Sequence, residues 1–451
     1  MSRRPRVAVI GGGAAGFFAA INLAEALKSK SKSKLPGASA PEIHIYEANR
    51  RPLNKVRISG GGRCNVTHAC FDPRELVEHY PRGSRVLRGV FARFAPRDTL
   101  EWFAARGVQT KTEADGRIFP ISDDSATIVN CLMDGARAAG VQLYRQTSVR
   151  KLTPAVNGDP DADQREGASR WKLEIDASAG ANAEAPSGEQ LYDRVIFAAG
   201  AGPQVFELLA ALGQPLIDPV PSIFTFQIRD DRIRELPGLA VERASVRLPA
   251  FKQLSKLSIP GPVLITHWGL SGPAVLRMSA FAARELCAAN YSTELLVNWC
   301  GDAGETTVRE ALQAHRRAHG ARQVRGDRLF ALPARLWRSL CAAAGLSDEG
   351  WAQMNGGQLH ALTQELCRGQ YRISGKGVFK EEFVTAGGVD CRRVDFRTME
   401  SREFPGLFFA GEVLDVDGVT GGFNFQNAWS TGWVAAQAIA EELKEFEDTG
   451  S

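Results

Sequence analysis

Arg6-Val7-Ala8-Val9-Ile10 runs directly into Gly11-Gly12-Gly13-Ala14-Ala15-Gly16, and this stretch decides the fold. The apolar, β-branched run reads as a buried strand, and Phe17 to Leu27 reads as a helix. Between those two elements, G-x-G-x-x-G has the context of a dinucleotide-binding turn. Gly11 permits the tight turn, Gly13 lets the backbone approach a pyrophosphate, and Gly16 lets the helix pack on the strand. The amides opening the helix, including those of Ala14 and Ala15, carry roughly half a positive charge toward such an anion. The competing reading is a glycine-rich turn that binds nothing; the strand and helix flanking it favour binding.

Outward from that turn, Glu42 to Tyr46 is a second strand that ends in Glu47. An acid at this point accepts hydrogen bonds from ribose hydroxyls. The usual separation from the glycines is about 20 residues. Here it is longer because Lys28 to Pro41, KSKSKSKLPGASAP, intervenes as a polar loop. A carboxylate also repels a 2′-phosphate, which argues against NADP in this particular site.

At 451 residues the chain is expected to form two or three domains. Its 44% hydrophobic and 24% charged residues are those of an ordinary globular protein. No apolar run has the length to span a bilayer. A strand beginning at Arg6 leaves no room for a signal peptide. The eight cysteines show no C-x-x-C pair and no zinc-like spacing, so they are read as free thiols and no metal is expected. The expected location is cytoplasmic. A net charge of +4 is mild.

Lys55 to His68, KVRISGGGRCNVTH, sets Ser59 and three glycines before Arg63, Cys64 and Asn65. Glycines from Gly60 onward allow strained dihedrals and close approach, and Arg63 can pair with a phosphate or substrate anion. Phe91 to Gly107 reads as one helix, Glu113 to Pro120 as a turn into a strand, and Ala126 to Gly140 as a helix. Val141 to Leu152 and Trp171 to Ile175 read as strands joined by an acidic excursion. Tyr192 to Ala198 is a buried strand running into Ala199-Gly200-Ala201-Gly202-Pro203, a second strand-to-glycine turn. Ile223 to Ile265 carries short strands separated by Pro and Gly, as a small antiparallel sheet or barrel does. Thr266 to Met278 reads as a loop opening a helix, and Glu305 to Gly369 as mostly helical.

Arg309 to Arg338 holds eight arginines and two acids. Either it is a solvated helix face or, through Arg316, Arg317, Arg322, Arg325 and Arg328, a phosphate-tracking surface. Phe383 to Val389 and Gly406 to Phe409 return as strands, the latter reaching Gly411-Glu412. A Gly421-Gly422 turn then precedes a helix from about Asn427 to Leu443. Asp415 and Asp417 are open between acid–base groups and turn-stabilising aspartates.

With these stretches in place, the chain resembles the BaiN-type bacterial flavoproteins along nearly its whole length. The group includes proteins described as aminoacetone oxidases and NAD(P)/FAD-dependent oxidoreductases. The resemblance is carried by GGGAAG at Gly11, SGGGRCNVTH at Ser59, GRIFP at Gly116, THWGLSGPAVL at Thr266, VTAGGV at Val384 and GEVLDVDGVTGGFNFQNAWSTG at Gly411. Gly61 departs from a frequent polar residue, and Phe423 and Phe425 from Tyr and Leu. The resemblance implies an α/β fold: an FAD-binding Rossmann-like domain of the glutathione-reductase type with an inserted β-barrel-like plus helical domain. The expected division is 1–202 (with a β-meander over about 141–199), an insert over 203–380 (β-rich about 215–300, helical about 305–370), and 381–451. It implies FAD contacts from Gly11, Gly13, Ala14, Ala15, Gly16, Glu47, Ser59, Gly60, Arg63, Cys64, Asn65, the Val149 backbone, Ala199, Gly200, Gly411, Glu412, Gly421, Gly422, Phe423 and Asn424.

The cofactor sets the reaction class as two-electron transfer at flavin N5. With one fingerprint of this kind in the chain, NAD(P)H is expected as a transient donor. His267 and Cys64 are the candidate catalytic groups. Three functions compete. One is a reductase acting on an activated C=C bond, in a steroid-like molecule or in ribosomal RNA uridine. The second is an amine oxidase using oxygen, and the third a non-catalytic flavin-holding, RNA-binding protein.

Overall fold

The computed structural model describes residues 4–30, 41–155, 170–182, 184–377 and 384–449. Most of the Lys28–Pro41 loop and of the acidic excursion lie outside the described residues. The chain divides into two units, Met1–Pro219 with Thr385–Ser451, and Val220–Val384. The sequence placed this boundary at Pro203, but the helix Pro203–Leu212 belongs to the first unit.

The first unit is built on a seven-stranded sheet. From one edge its order is Val394–Asp395, Glu400–Ser401, Leu407–Phe409, Arg194–Phe197, Arg6–Ile10, Glu42–Glu47 and Gln142–Arg145. The last five are parallel and the first two antiparallel. Val7, Ala8 and Val9 are fully buried, as are Ile196 and Phe408. Strands covered on both faces carry such unbroken apolar runs. The first helix, Ala14–Lys30, and the last, Phe423–Thr449, pack against one another.

Two sequence expectations are corrected here. The helix expected over Phe91–Gly107 is two, Ser84–Phe91 and Pro96–Ala104. Pro96 has no N–H, and it holds Ala95 extended at φ −111° and ψ 178°. The strand expected over Val141–Leu152 is also two, in different sheets. Gln146 takes φ +54° and turns the chain out of the parallel sheet. Thr147–Pro154 then joins Trp171–Ala177 and Gly188–Tyr192 in an antiparallel meander.

The second unit is a closed six-stranded antiparallel barrel. Its strands run in the order Phe226–Ile228, Gly269–Ser271, Ile259–Thr266, Ala240–Arg247, Thr293–Asn298 and Gly369–Lys376, and the last pairs with the first. Alternation fills its interior: Ala244 and Val246, Leu295 and Val297, and Ile373 are buried. Helices Glu305–Ala318, Ala334–Ala343 and Gly356–Arg368 extend the same apolar cluster through Val308, Leu312, Trp337, Leu340, Leu362 and Leu366. The chain passes between units through Leu216–Pro221 and Thr385–Val389, which pair as a two-stranded sheet.

Candidate functional site

The first strand ends at Gly11, whose N–H donates to Tyr46 O at 2.8 Å. Its φ is +110°, and a Cβ there would lie 2.5 Å from Ala198 O. A Cβ on Gly16 would lie 2.0 Å from Gly11 O. Both positions therefore exclude a side chain. Gly13 is different: nothing lies within 4 Å of its Cβ position. Phe17 N–H makes the first intrahelical bond, to Gly13 O at 3.1 Å, so the amides before it are the helix's unsatisfied donors. Ala14 and Ala15 sit there, and Ala199 and Gly200 (φ +75°) follow the neighbouring strand.

Glu47 closes this end of the sheet. Its Oε2 accepts the Gly12 N–H at 2.9 Å, and its Oε1 accepts both the N–H and Nδ2 of Asn49 at 2.7 Å. Asn49, which the sequence reading missed, holds the carboxylate in place. Asn49 O in turn accepts the Gln146 N–H at 3.3 Å, so the strand bearing Val149 begins beside it.

The triple glycine begins as helix and ends as a loop. Asn54 to Ile58 are helical, Ser59 turns to ψ 150°, and Gly60, Gly61 and Gly62 take φ of 57°, 70° and 85°. Cys64 follows at φ +61°, its N–H donating to Ser59 O at 3.0 Å. Its side chain is fully buried, and burial pushes the thiol up to about 12, against a smaller opposing effect of a Ser59 hydrogen bond. Such a thiol stays protonated near neutral pH. Arg63 donates to Glu113 at 2.6 Å and lies 4.0 Å from the Phe119 ring centroid, with Asp123 at 3.5 Å. Its charge, read in the sequence as open to a phosphate, is met by two carboxylates. Asn65 is buried, and its Oδ1 has no hydrogen-bond partner among the described residues.

The C-terminal strand Leu407–Phe409 leads to Gly411, whose N–H donates to Thr431 Oγ1 at 2.9 Å. Glu412 pairs with Lys55. Gly421 and Gly422 (φ +127° and +93°) turn the chain into the last helix. That helix starts at Phe423, four residues before the expected Asn427. A Cβ on Gly422 would stand 2.8 Å from Asn65 Oδ1, which brings the two glycine motifs together. The Phe423 ring centroid lies 4.7 Å from that of His68 and 4.2 Å from that of His79, and Phe423 O accepts Tyr80 OH at 2.6 Å. Asn424 clamps Gly418 through N–H to Oδ1 and Nδ2 to O, each 2.8 Å.

Asp417 is fully buried and paired with Arg82 through two guanidinium nitrogens, while Asp415 accepts the Gly387 N–H at 3.0 Å. Both aspartates stabilise turns. Asn427, not singled out in the sequence, is 1% exposed with a partnerless Oδ1. The signal available was Asn424, Gln426 and Asn427 clustered in the first turns of the last helix.

In the second unit His267 is exposed at the tip of the hairpin between Ile259–Thr266 and Gly269–Ser271. The sequence expected a loop opening directly into a helix. Instead a strand intervenes, and the helix spans Pro273–Phe281. Of the five arginines, Arg322 pairs with Asp327 at 3.4 Å, an acid that also meets His315 at 2.6 Å. Arg316 donates to Ala352 O at 3.4 Å and Arg328 to Leu332 O at 3.2 Å, while Arg317 is exposed and Arg325 has a buried Nε without a partner.

Compared with known families, residues 5–438 match the model described as HI0933-like protein Rossmann domain. This chain belongs to the HI0933-like family. It is therefore an FAD-dependent oxidoreductase. Ribosomal RNA dihydrouridine synthase of Escherichia coli is 28% identical over 438 residues, covering 96% of this chain and 97% of that protein. The protein of the same name from Haemophilus influenzae is 25% identical, covering 98% and 100%. The 3-dehydro-bile acid delta(4,6)-reductase of Clostridium scindens is 27% identical, covering 97% and 99%. Among solved structures, the open conformation of a flavocytochrome c3 fumarate reductase aligns at 13% identity with a TM-score of 0.45, over 98% of this chain and 78% of that one. Among the described residues no cluster of three or more potential metal ligands occurs, and no helix is long and apolar enough to cross a membrane.

Proposed function

We propose that this protein passes a hydride from NAD(P)H, by way of FAD, to a C=C bond conjugated to a carbonyl, with uridine in ribosomal RNA as the acceptor. The observation that carries the flavin half is a set of unsatisfied groups around the glycine turns. Among the described residues, Gly13 has open space at its Cβ position, and Asn65 Oδ1 and Asn427 Oδ1 are buried acceptors without donors. Leaving such atoms unmet costs about 1–3 kcal/mol each. FAD fits them, because its pyrophosphate is an anion and its hydroxyls and ring N–H are donors.

In this reading Gly11, Gly13, Ala14, Ala15 and Gly16 hold the pyrophosphate. Glu47 takes the ribose, and the Val149 backbone borders the adenine. Ser59, Gly60, Cys64, Asn65, Ala199 and Gly200 line the middle. Gly411, Glu412 and Gly421 to Asn424 face the ribityl and ring end, joined by Asn427. Arg63 acts by holding its loop to Glu113 rather than by meeting a phosphate. Bound FAD supplies two-electron transfer at N5. The first amides of the helix Phe423–Thr449 bring partial positive charge to the Gly421–Gly422 turn, where it favours an anionic ring. Cys64 packs. The acceptor carbon that takes no hydride needs a proton, and His267 is assigned to deliver it from its imidazole.

The acceptor rests on the relatives. One name describes making dihydrouridine and another reducing a delta(4,6) system, and both add hydrogen across C=C. The exposed Arg317, Arg322 and Arg328 favour RNA over the steroid-like alternative. The test is anaerobic stopped-flow mixing of the FAD-loaded protein with NADH and then NADPH. Bleaching followed by reoxidation with uridine-containing ribosomal RNA supports the reading. Reoxidation only by a conjugated enone transfers it to small molecules, and no bleaching by either nucleotide sinks it.

A further inference from the structure

The second unit holds a cavity of about 340 Å³ on the outer wall of its barrel. Its floor consists of two rungs on either side of the Val246–Val297 pair, in which Ser245 pairs with Asn298 and Arg247 with Leu296. These four alternate with the inward Val246 and Val297, so their side chains leave the barrel on its outer face. Glu305, opening the helix Glu305–Ala318, lines one wall, and Arg368, closing Gly356–Arg368, lines another.

Hydrogen bonds fix this shape. Ser245 Oγ donates to Gly301 O at 3.0 Å, Asn298 Nδ2 to Ala303 O at 3.0 Å, and Trp299 N–H to Leu366 O at 2.8 Å. They tie both walls to the floor. Arg247 donates one nitrogen to Ser255 O at 2.7 Å, leaving most of its fork unused. Among the described residues no ion pair involves Arg247, Arg368 or Glu305, although all three line one cavity. Two guanidinium groups against one carboxylate leave a net positive surface. Guanidinium forks match phosphate oxygens in geometry as well as charge. The volume falls within the range of small-ligand sites, and Leu296 offers an apolar surface for a flat or aliphatic part.

We propose that this cavity binds a phosphate-bearing ligand of mononucleotide size. Arg247 and Arg368 take the phosphate, and Glu305 accepts a hydrogen bond from a hydroxyl or N–H of the sugar or base. The site lies wholly within the second unit and its test uses no turnover, so its failure and that of the proposed reaction are distinguishable.

The experiment is titration calorimetry of the FAD-loaded protein at low salt with uridine 5′-monophosphate, uridine and inorganic phosphate. The monophosphate is expected to bind, and uridine to bind about tenfold more weakly, since a charge-assisted contact of about 1.4 kcal/mol is a factor of ten. The double variant R247Q/R368Q, which keeps most of each side-chain stem, is expected to lose about tenfold in monophosphate affinity with flavin content and melting temperature unchanged. E305Q shifts inorganic phosphate the other way, tightening it severalfold. A uridine-containing RNA hexamer separates the sources. A matching loss in the double variant identifies a link of an RNA chain, and a loss confined to the monophosphate identifies a free nucleotide. Unchanged monophosphate affinity in the folded double variant, or no binding at millimolar concentrations, overturns the proposal.

Discussion

Two glycine turns open long helices in the first unit, and they are held in different ways. The N-terminal one, Gly11 to Gly16, is held by its own neighbours: Gly11 N–H to Tyr46 O and Gly16 against Gly11 O. The C-terminal one, Gly421-Gly422, depends on remote clamps: Arg82 on Asp417, Tyr80 on Phe423 O, and the Asn65 loop against Gly422. The first turn is packed by its own Gly16–Gly11 contact and by the two adjoining strands, through Tyr46 O, Glu47 and Ala198 O. The second is specified by contacts from more than three hundred residues away. A motif can thus look equally glycine-rich in two places and be fixed by backbone contacts with adjoining strands in one and largely by side-chain clamps in the other.

The largest effect is expected at Gly16. Gly16→Val puts atoms where Gly11 O already stands, and it is expected to cost on the order of 3 kcal/mol or more, the upper range of overpacking. The readout is flavin content and melting temperature. A Gly16→Val protein that keeps FAD and its melting temperature would mean that the turn is not set by this contact. Asp417→Asn tests the other turn. Removing one partner of a buried pair costs about 3–5 kcal/mol, seen as a lowered midpoint in urea. An unchanged midpoint would show that the Arg82 clamp is dispensable.

The support beneath the first turn has its own pH signature. His44, on the strand that receives the Gly11 N–H, is held down to about 4 by burial and then by Arg6, with Glu42 partly opposing. Its unfolded value is near 6.5, so the unfolded chain binds the extra proton between these limits. Stability is therefore full above pH 6.5 and falls as pH drops toward 4, by about 3 kcal/mol at most. Acid-limb melting of His44→Gln against the native chain checks it, and superimposable curves would remove His44 as the cause.

The smallest effects sharpen the comparison between structural and ligand-facing atoms. Gly13→Ala and Asn427→Leu are each expected to leave the apoprotein as stable as before. Both should weaken FAD affinity about tenfold, the worth of one contact of about 1.4 kcal/mol. Equilibrium dialysis of FAD reads this, and unaltered affinity in both would take Gly13 and Asn427 out of the cofactor's surroundings.

The same contrast explains what the sequence made legible. The first strand, its glycines, Glu47 and the barrel character of the second unit follow from short-range pattern, because alternation and turn chemistry are local. The split at Gln146 was hidden, since strand propensity continues through a residue whose φ alone changes sheet. The acids that meet Arg63, Glu113 and Asp123, could not be read beside it because they lie 50 and 60 residues away. Asn427 was overlooked because its significance is only that, among the described residues, its Oδ1 meets no donor. The Asp415 and Asp417 ambiguity needed Gly387 and Arg82 to resolve.

The strands Leu216–Pro221 and Thr385–Val389 lie side by side, so the second unit leaves and rejoins the first at a single hydrogen-bonded point. Topologically it is an exchangeable cassette. Its length and contents can change through evolution without moving either end of the host sheet. A host sheet built this way keeps its strand order whatever length of chain is carried between these two strands.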